Sequence, residues 1–569
     1  MNLFELNQVT YFYPDEPQAA ILDLSLQMNE GEFVLVIGSS ASGKSTFVKL
    51  LSGLIPSFYG GKLQGKIYFK GKLLTGEVLK NGEMGMLFQN PERQIVTDLV
   101  ERELVYGMEN LGMPRNEMRK RFSEMVQYFN LRTLIHRSTH SLSGGEKQKV
   151  VLASVLAMGC RILILDEPTS ELDPVTAEEV FALLKKLHQD FGYTVILVEH
   201  RSDECFALAE RVLFFDKGQL KRDFSVSDFL HLRDAETHAY LPKVSQIFTM
   251  AEIDKVPVSI SEGRKVLKEM GDFPSSTKAE NSREKITQNI PPAISFDHVC
   301  FQYERKTPFL ERLNLTLPKR KSIAIVGENG AGKSTLLKLA VGMMAPQFGE
   351  IRCCGRLLQD FSKEQRGRMI GYVGQQPDDY LIHDRVFEEC AFTLKNFDIS
   401  NDSMIQHVLS ELGLSGHTQK NPRDLSFSER LRVAIASLLV LQPEILLLDE
   451  PVRGLDPHLK QVWGEMFRRW VSEKNRTVIF ATQDIDFAAE FSDHLIWMSA
   501  GGMVDSGPTH VVLENNLFFI PQASRLFQNF QKGIWTMTEA VQMLKHHSPL
   551  MSDGAASPKN FETEIEKRL

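Results

Sequence analysis

The stretch FVLVIGSSASGKST, residues 33–46, joins an apolar run to a glycine-rich loop, and a helical pattern follows. Its spacing, Gly38-x4-Gly43-Lys44-Ser45, fits a phosphate-binding loop. Glycines let the backbone wrap so that its N–H groups point inward at an anion, and the helix that follows adds positive potential. The stretch therefore predicts strand, loop and helix, the unit of a doubly wound α/β domain.

The chain contains this unit twice. A second loop, GENGAGKST, begins at Gly327, which lies 289 residues after Gly38. Later landmarks repeat in the same order at offsets of 286 or 283 residues, and they are Gln89 with Gln375, Leu142 with Leu425, Asp166 with Asp449, and His200 with Gln483. Landmarks in one order with a small drift indicate a duplicated domain, each copy running about 220 residues.

Both loops are predicted to hold the phosphates of a nucleotide. The lysine neutralises the β- and γ-phosphates, and the serine hydroxyl ligates Mg²⁺. The residues expected to bind are Gly38, Ser39, Ser40, Ala41, Ser42, Gly43, Lys44, Ser45 and Thr46 in the first loop, and Gly327, Glu328, Asn329, Gly330, Ala331, Gly332, Lys333, Ser334 and Thr335 in the second.

An Asp-Glu pair ends each of the apolar runs ILILDE and LLLLDE, at Asp166-Glu167 and Asp449-Glu450. A single acidic residue there could be a plain strand cap. Two in each copy, beyond a phosphate-binding loop, indicate that Asp holds Mg²⁺ through water and that Glu polarises the attacking water. We therefore predict an ATPase that uses ATP and Mg²⁺. The metal-binding residues expected are Ser45, Gln89, Asp166, Ser334, Gln375 and Asp449.

Tyr13 and Tyr303 each precede a loop by about 25 residues. Either could simply belong to the core. We favour an aromatic ring that stacks on adenine.

The order of P-loop, glutamine, LSGGE (residues 142–146), Asp-Glu and histidine resembles ATP-binding cassette (ABC) domains over both halves of the chain. The resemblance implies two tandem cassettes, each with a mainly parallel sheet core, an antiparallel β subdomain and a helical subdomain. They would pair head to tail within the chain, with each ATP between one P-loop and the other half's LSGGE segment. We expect a first cassette at 1–225, an accessory region and flexible linker at 226–292, a second cassette at 293–515 and a tail at 516–569.

By this resemblance, Ser143, Gly144 and Gly145 open a helix that faces the γ-phosphate of the opposite ATP, with glycines permitting close approach and unusual φ. The second copy reads LSFSER, residues 425–430, and keeps Ser426 but places Phe427-Ser428 where the glycines stand. It is a degenerate signature, although Phe427 could also merely pack against a neighbour.

The catalytic residues expected by resemblance are Glu167 with His200 and Glu450 with Gln483. Histidine would orient the γ-phosphate and the water, whereas glutamine can donate a hydrogen bond but carries no charge. Since the second P-loop would face the intact Ser143 segment, we expect its site to contribute the larger share of hydrolysis.

The stretch Gly85–Pro114 is similar to the cassette subunits of energy-coupling factor (cobalt/vitamin-type) importers, and the second copy matches more weakly. The similarity implies a membrane T-subunit docked on Gln94–Glu103 and Tyr380–Glu389, a membrane S-subunit that captures substrate, and a peripheral position on the cytoplasmic face. The alternatives are the tandem ATPase of a sugar importer and a soluble cassette translation factor acting on ribosomes. The latter tends to carry a long charged helical arm, whereas Gly271–Pro292 balances three acidic against three basic residues.

Bulk composition agrees with a peripheral ATPase. At 569 residues, with 43% hydrophobic and 24% charged residues, the chain is of ordinary globular type with more than one domain. The net charge of −8 argues against a surface that coats nucleic acid, though not against a local basic patch, and we expect no nucleic-acid partner. The six cysteines form no C-x-x-C pair, so we expect reduced thiols and neither a zinc nor an iron–sulfur site. No secretion signal and no spanning apolar run are expected.

Overall fold

The computed structural model describes residues 2–74, 82–89, 91–170, 172, 174–200, 202–271, 273, 291–303, 310–514, 516 and 519–547. Two compact units divide the chain. The first comprises 1–249, 256–259 and 456–458, and the second comprises 250–255, 260–455 and 459–569. Most of the predicted linker, 274–290, and the end of the predicted tail, 548–569, lie outside the described residues.

The first unit begins with the strands and helices of the first cassette. Its strands are β1 (Asn2–Phe12), β2 (Ile21–Asn29), β3 (Phe33–Gly38), β4 (Lys62–Phe69), β5 (Lys72–Leu73), β6 (Met84–Leu87), β7 (Ile162–Asp166), β8 (Thr194–Val198), β9 (Arg211–Asp216) and β10 (Gln219–Ser225). Its helices are α1 (Lys44–Leu51), α2 (Leu54–Ser57), α3 (Val100–Asn110), α4 (Arg115–Tyr128), α5 (Gly144–Ala157), α6 (Pro174–Phe191), α7 (Ser202–Cys205), α8 (Val226–Leu230), α9 (Ala235–His238) and α10 (Lys243–Met250).

The second unit includes helix α11 (Ile260–Met270) and the second cassette. Its strands are β11 (Ile294–Phe301), β12 (Leu310–Leu317), β13 (Ser322–Val326), β14 (Phe348–Cys353), β15 (Arg356–Leu357), β16 (Ile370–Val373), β17 (Ile445–Asp449), β18 (Thr477–Thr482), β19 (His494–Ser499) and β20 (Gly502–Pro508). Its other helices are α12 (Lys333–Val341), α13 (Lys363–Met369), α14 (Val386–Asn396), α15 (Asp402–Glu411), α16 (Phe427–Leu439), α17 (Pro457–Ser472), α18 (Ile485–Phe491), α19 (Thr509–Glu514), α20 (Gln522–Phe527) and α21 (Met537–His547).

Short 3₁₀ helices occur in both copies. They are Pro91–Arg93, Thr139–Ser141, Leu358–Asp360, Pro377–Tyr380, Ser415–His417 and Pro422–Asp424.

Both units contain the same two sheets. In the first, a six-stranded sheet has the order β10-β9-β3-β8-β7-β6, and a four-stranded antiparallel sheet has the order β2-β1-β4-β5. In the second, the orders are β20-β19-β13-β18-β17-β16 and β12-β11-β14-β15. Each six-stranded sheet is parallel except for its last strand, β10 or β20. This confirms the predicted fold class of two tandem α/β cassettes.

The central strands explain why the sequence runs are so apolar. Every residue of β3, β7 and β8 is buried, as is every residue of β13, β17 and β18. Helices cover one face of each parallel sheet, and the antiparallel sheet with α1 or α12 covers the other. Strands buried on both faces read as continuous hydrophobic runs rather than alternating ones.

Strand order determines which loops meet. Strands β3, β7 and β8 are neighbours, with Val36 paired to Val198 and Asp166 also paired to Val198. The carboxyl ends of parallel strands meet at one edge of a sheet, where α/β proteins bind ligands. The P-loop after β3, the acidic pair after β7 and the residues after β8 therefore converge, and the same holds for β13, β17 and β18.

The duplication extends into the helices that follow each cassette. In the first unit, the buried Ser245 hydroxyl donates to the carbonyl of Pro257 at 2.6 Å. The buried Ser524 hydroxyl donates to the carbonyl of Ile534 at the same distance in the second. Helices α20 and α21 lie within 516–569, the stretch that the sequence analysis assigned to the tail. Helix α11 packs on α20, and the Nε of Arg264 donates to the Arg525 carbonyl at 3.1 Å.

Among the described residues, no helix is both long and apolar enough to cross a membrane.

Candidate functional site

The two P-loops require glycine at the positions where the chain leaves the strand. Gly38 and Gly327 have φ of 147° and 154°. A Cβ at Gly38 would lie 2.0 Å from the Phe215 carbonyl oxygen, and one at Gly327 would lie 2.2 Å from that of Met498. A side chain at either position would therefore collide with the neighbouring strand, so the motif is a packing requirement as well as a ligand cradle.

Each loop lysine folds back over its own loop. The Lys44 ammonium donates to the carbonyls of Gly38 at 2.9 Å and Ser39 at 2.7 Å. Lys333 does the same with Gly327 at 2.8 Å and with the next carbonyl at 3.1 Å. Burial lowers the pKa of both lysines, against the opposing pull of nearby carboxylates. Each site thus holds a buried cation beside the loop's backbone N–H groups.

The serine after each lysine lies by the aspartate of the acidic pair. The Ser45 hydroxyl donates to Asp166 Oδ1 at 3.1 Å. Burial, followed by repulsion from Glu167, raises the pKa of Asp166 to about 7. Burial likewise raises the pKa of Asp449, while a hydrogen bond from Ser334 opposes the rise. The structure therefore brings together the serine and the aspartate of each predicted metal set, whereas Gln89 donates to Glu167 and Gln375 is exposed.

These oxygens suit Mg²⁺ held in part by a nucleotide. Magnesium in such sites is bound by one or two protein oxygens, with substrate phosphates and water completing the octahedron. Over the part of the chain that is described, no group of three or more His, Cys, Asp or Glu side chains is arranged to hold a metal. In that same part, the buried Oδ1 of Asp449 has no hydrogen-bond partner. A serine–aspartate pair is the donor set that fits such an ion.

Glu167 is held by two side chains from other elements. His200 Nε2 lies 3.0 Å from Glu167 Oε1, and Gln89 Nε2 donates to Oε2 at 2.7 Å. Burial alone would raise the pKa of Glu167, but His200, Lys44 and Gln89 together outweigh burial and lower it. These contacts favour the ionised carboxylate and fix its orientation, which is what a residue that polarises water needs.

Glu450 has a different environment. Its Oε1 lies 3.7 Å from the Lys333 ammonium, and burial raises its pKa despite the attraction of that lysine. Gln483 Nε2 donates instead to Asn329 Oδ1 of the P-loop at 2.5 Å. Gln375 is exposed, and within the described residues no hydrogen bond joins it to Glu450. The structure thus brings Gln89 and His200 to Glu167, whereas the Gln483 side chain contacts the P-loop instead of Glu450.

Both glutamates have a backbone conformation that side chains rarely adopt. Glu167 has φ of 49° and Glu450 has φ of 53°. Their N–H groups donate to the Val198 and Ala481 carbonyls of the adjacent strand at 2.9 and 3.0 Å. Non-glycine residues held in this region cost about 1–3 kcal/mol and cluster at functional sites. The sequence does not predict this strain, because glutamate is not a residue type that favours a positive φ.

A buried acid beside the first site was missed from the sequence. Glu199 is 2% exposed and accepts hydrogen bonds from the N–H and hydroxyl of Thr169 and from the N–H of His200. It fixes the turn that carries His200. The second copy has Thr482 at this position. Alignment of the two copies would have flagged it as the acidic residue that only one copy carries.

The two tyrosines lie at the P-loops. The Tyr13 hydroxyl is 3.1 Å from Thr46 Oγ1, and that of Tyr303 is 2.8 Å from Thr335 Oγ1. Neither ring is buried in the core, and Tyr303 is 43% exposed. The rings are therefore placed beside the nucleotide loops, while their stacking on adenine stays a prediction.

The signature helices begin in the same way in both copies. Ser143 caps α5 and Ser426 caps α16, and each forms a reciprocal capping box with Glu146 or Glu429. Neither glycine after Ser143 has a positive φ, so the prediction of unusual φ is wrong. Gly144 and Gly145 lie in the first turn of α5. They differ there from Phe427 and Ser428 of the second copy only in having no side chain.

The segment after each glutamine is organised by a buried helix carboxylate. Glu103 of α3 accepts the N–H groups of Val96 at 3.1 Å and Thr97 at 2.8 Å. At the corresponding position of α14, Glu389 accepts the N–H of His383 at 2.5 Å. Both carboxylates are at most 5% exposed. These segments are therefore rigid features of the surface rather than loose loops.

Comparison with known proteins agrees with this site. The family model described as ABC transporter matches residues 21–170 and 310–453, both P-loops and both acidic pairs included. An ABC transporter ATP-binding protein of Bacillus thuringiensis subsp. konkukian is 33% identical over 533 residues, covering 92% of this chain and 95% of that protein.

Two solved structures are also similar. The archaeal ribosome recycling factor aABCE1, in complex with the ribosomal stalk protein aP1, is 22% identical, with a TM-score of 0.56 over 89% of this chain and 90% of that chain. This likeness shows the fold alone. The cbiO1 protein of Clostridium perfringens, part of the ABC transporter complex cbiONQ, is 29% identical, with a TM-score of 0.37 over 40% of this chain and 92% of that chain.

The family match and the whole-length relative lead to one conclusion. The chain belongs to the ABC transporter ATP-binding family and is an ATPase built from two tandem cassettes.

Proposed function

We propose that this ATPase is the motor subunit of an importer of energy-coupling factor type. ATP binding would close the two cassettes on each other and hydrolysis would reopen them. Separate membrane subunits, a T-type coupling subunit and an S-type substrate-binding subunit, would convert that movement into uptake. The chain would sit peripherally on the cytoplasmic face of the cell membrane.

In this proposal each nucleotide is bound as the P-loop geometry suggests. Lys44 and Lys333 contact the phosphates, and Glu167 and Glu450 polarise the attacking water. Mg²⁺ would be held by Ser45, Gln89 and Asp166 at one site and by Ser334, Gln375 and Asp449 at the other. When bound, the ion would neutralise charge on the phosphate oxygens.

The observation that carries the proposal is a repeated exposed apolar surface. Val96 is 65% exposed and Ile382, at the same position of the second copy, is 59% exposed. Tyr106 and Phe392 are likewise equivalent and are 40% and 39% exposed. We call Val96 with Tyr106, and Ile382 with Phe392, the docking surfaces.

Val96 and Ile382 belong to the segments predicted to meet the T-subunit, Gln94–Glu103 and Tyr380–Glu389, and Tyr106 and Phe392 lie three residues beyond the ends of these segments. Exposed apolar side chains on a rigid frame mark protein or membrane interaction sites, and a helix of a partner fits such a surface. In the second copy His383 packs against Phe392, with ring centroids 4.7 Å apart, beside the exposed Ile382. Twofold repetition matches a partner that presents one coupling helix to each cassette.

The resemblance of Gly85–Pro114 to cobalt/vitamin-type cassette subunits supports this type of importer over a sugar importer. Likeness of fold to a ribosome recycling factor identifies no partner. The test of the proposal therefore asks whether the chain associates with membranes or with ribosomes.

The test places a charge on both docking surfaces with the substitutions Val96→Asp and Ile382→Asp. Leu73→Asp with Val504→Asp is the matched control, because these side chains are 51% and 53% exposed but lie outside the docking surfaces. Each tagged full-length chain is expressed in its own host and fractionated on a sucrose gradient. Binding of a fluorescent ATP analogue is measured in parallel.

We expect the docking variant to lose membrane association at least about tenfold, because truncating an interface anchor costs roughly 1–2 kcal/mol or more. Analogue binding should match wild type, and the control should stay membrane-bound. Co-sedimentation of wild type with ribosomes, or unchanged membrane binding by the docking variant, would reject the proposal.

A further inference from the structure

An ion pair joins the signature helix to the segment after the glutamine in each cassette. The Lys147 ammonium of α5 lies 2.5 Å from Glu92 Oε1, and Arg430 Nε of α16 lies 2.7 Å from Asp378 Oδ1. The Lys147 and Arg430 side chains are 14% and 22% exposed, whereas Glu92 and Asp378 are 61% and 57% exposed, so each pair joins a shielded cation to an exposed acid. Such pairs contribute little to stability, so their role is argued from what they connect.

The two pairs occupy equivalent positions but use different residues. Lys147 and Arg430 are 283 residues apart, like Leu142 and Leu425, and the acids Glu92 and Asp378 are 286 apart, like the two glutamines. One copy has lysine with glutamate, and the other has arginine with aspartate. Since both members differ while the opposite charges persist, the duplication has retained the link itself rather than either residue type.

Each pair connects two parts of the site that the backbone leaves separate. Glu92 lies in the 3₁₀ helix that follows Gln89, and Gln89 donates to Glu167. Lys147 lies in the first turn of the helix that Ser143 caps, and its N–H donates to the Ser143 carbonyl at 2.9 Å. A continuous series of contacts thus leads from the catalytic glutamate through the glutamine segment to the signature serine.

In the second copy a single side chain connects the glutamine segment to the start of the signature helix. The Arg430 guanidinium Nη1 also donates to the carbonyl of Leu425 at 2.6 Å, immediately before the capping Ser426. Its Nε faces Asp378 of the 3₁₀ helix Pro377–Tyr380. One side chain therefore spans from the glutamine segment to the start of the signature helix.

We propose that Lys147–Glu92 and Arg430–Asp378 are positioning pairs that lock the start of each signature helix to the glutamine segment of its own cassette. A displacement of the glutamine then displaces the signature serine with it. The pairs touch no nucleotide and act through the signature segment. The inference rests on the role proposed for that segment in hydrolysis, and not on the type of importer.

The experiment uses the purified full-length chain and measures kcat and KM for ATP with analogue binding alongside. Glu92→Lys and Lys147→Glu each place like charges together, and the double variant E92K/K147E restores a pair of opposite sign. The variant E92D/K147R transplants the pair of the second cassette into the first. The matched control is K149E/E179K, which reverses another ion pair of the same helix, Lys149–Glu179 at 2.5 Å.

We expect each single reversal to lower kcat roughly two- to thirtyfold, the range of coupling changes along such networks, with KM and analogue binding close to wild type. The swapped and transplanted pairs should recover most of kcat, and the control should match wild type. Single reversals equal to the control, or a swap as slow as the singles, would overturn the inference. Membrane association is not measured, so failure of the importer proposal alone leaves these outcomes unchanged.

Discussion

The two cassettes have the same strand order and the same P-loop backbone, yet they hold their catalytic glutamates differently. Glu167 is fixed by His200 and Gln89, and its pKa is lowered by them. Glu450 lies beside Lys333, and burial raises its pKa. Duplication has preserved the backbone framework while the side-chain contacts around the reacting centre have diverged.

His200 in the first cassette and its counterpart Gln483 in the second account for much of this difference. His200 reaches the glutamate, whereas Gln483 turns to Asn329 of the P-loop. Sequence alone favoured the second P-loop for hydrolysis, on the premise that LSFSE is misshapen. The capping boxes at Ser143 and Ser426 show that the backbone N–H groups of α16 start as those of α5 do, although Phe427 keeps its bulk. Because Glu167 has two side-chain partners, we expect the first P-loop to contribute more than the sequence alone predicts.

The largest expected effect separates the two glutamates. Glu167→Gln should lower steady-state ATPase activity about tenfold or more, because a positioned base contributes roughly 10²–10⁴-fold and we expect the first site to carry most turnover. Glu450→Gln should leave a substantial fraction of activity. Both variants are nearly isosteric with wild type, so analogue binding serves as the folding control. If Glu450→Gln is the more damaging, the organised glutamate is not the dominant one.

A smaller effect is expected from exchanging His200 and its counterpart Gln483. His200→Gln should lower turnover about tenfold, because hydrogen bonds to charged groups contribute roughly 1.5–3 kcal/mol. Gln483→His should leave turnover equal or raise it, since the new side chain can reach Glu450. Single-turnover hydrolysis is measured for His200→Gln in the Glu450→Gln background, and for Gln483→His in the Glu167→Gln background. Equal rates for His200→Gln and its background would show that the contact with Glu167 does not contribute.

The smallest effect is expected from restoring the glycines of the second signature. Phe427→Gly with Ser428→Gly should change ATPase activity by less than about twofold, although it removes the contact of the buried Ser428 hydroxyl with Ser426 Oγ at 3.2 Å. The helix start is already capped, so the glycines add no missing donor. Gly144→Phe with Gly145→Ser is the reciprocal variant in the intact copy. Recovery of several-fold activity by the glycines would restore the original asymmetry argument.

The sequence by itself determined the fold class and the duplication, and it located both P-loops and both acidic pairs. Gly38, Lys44, Asp166 and Glu167 were identified without structure because phosphate binding needs these residue types at fixed local spacing. Continuous apolar runs identified the buried strands for a similar reason, since both faces of a parallel sheet are covered. Properties that depend on neighbours along the chain can be inferred from the sequence.

Tertiary structure decided what depends on neighbours in space. Strand order brings Gln89 and His200 to Glu167, and nothing in LFQNP or LVEH reveals that the first glutamate gains two partners while the second gains a lysine. The left-handed backbone of both glutamates, the shared capping of the two signature helices and the Lys147–Glu92 link are likewise tertiary. Each arises because packing of distant elements fixes an orientation that local residue preferences leave open.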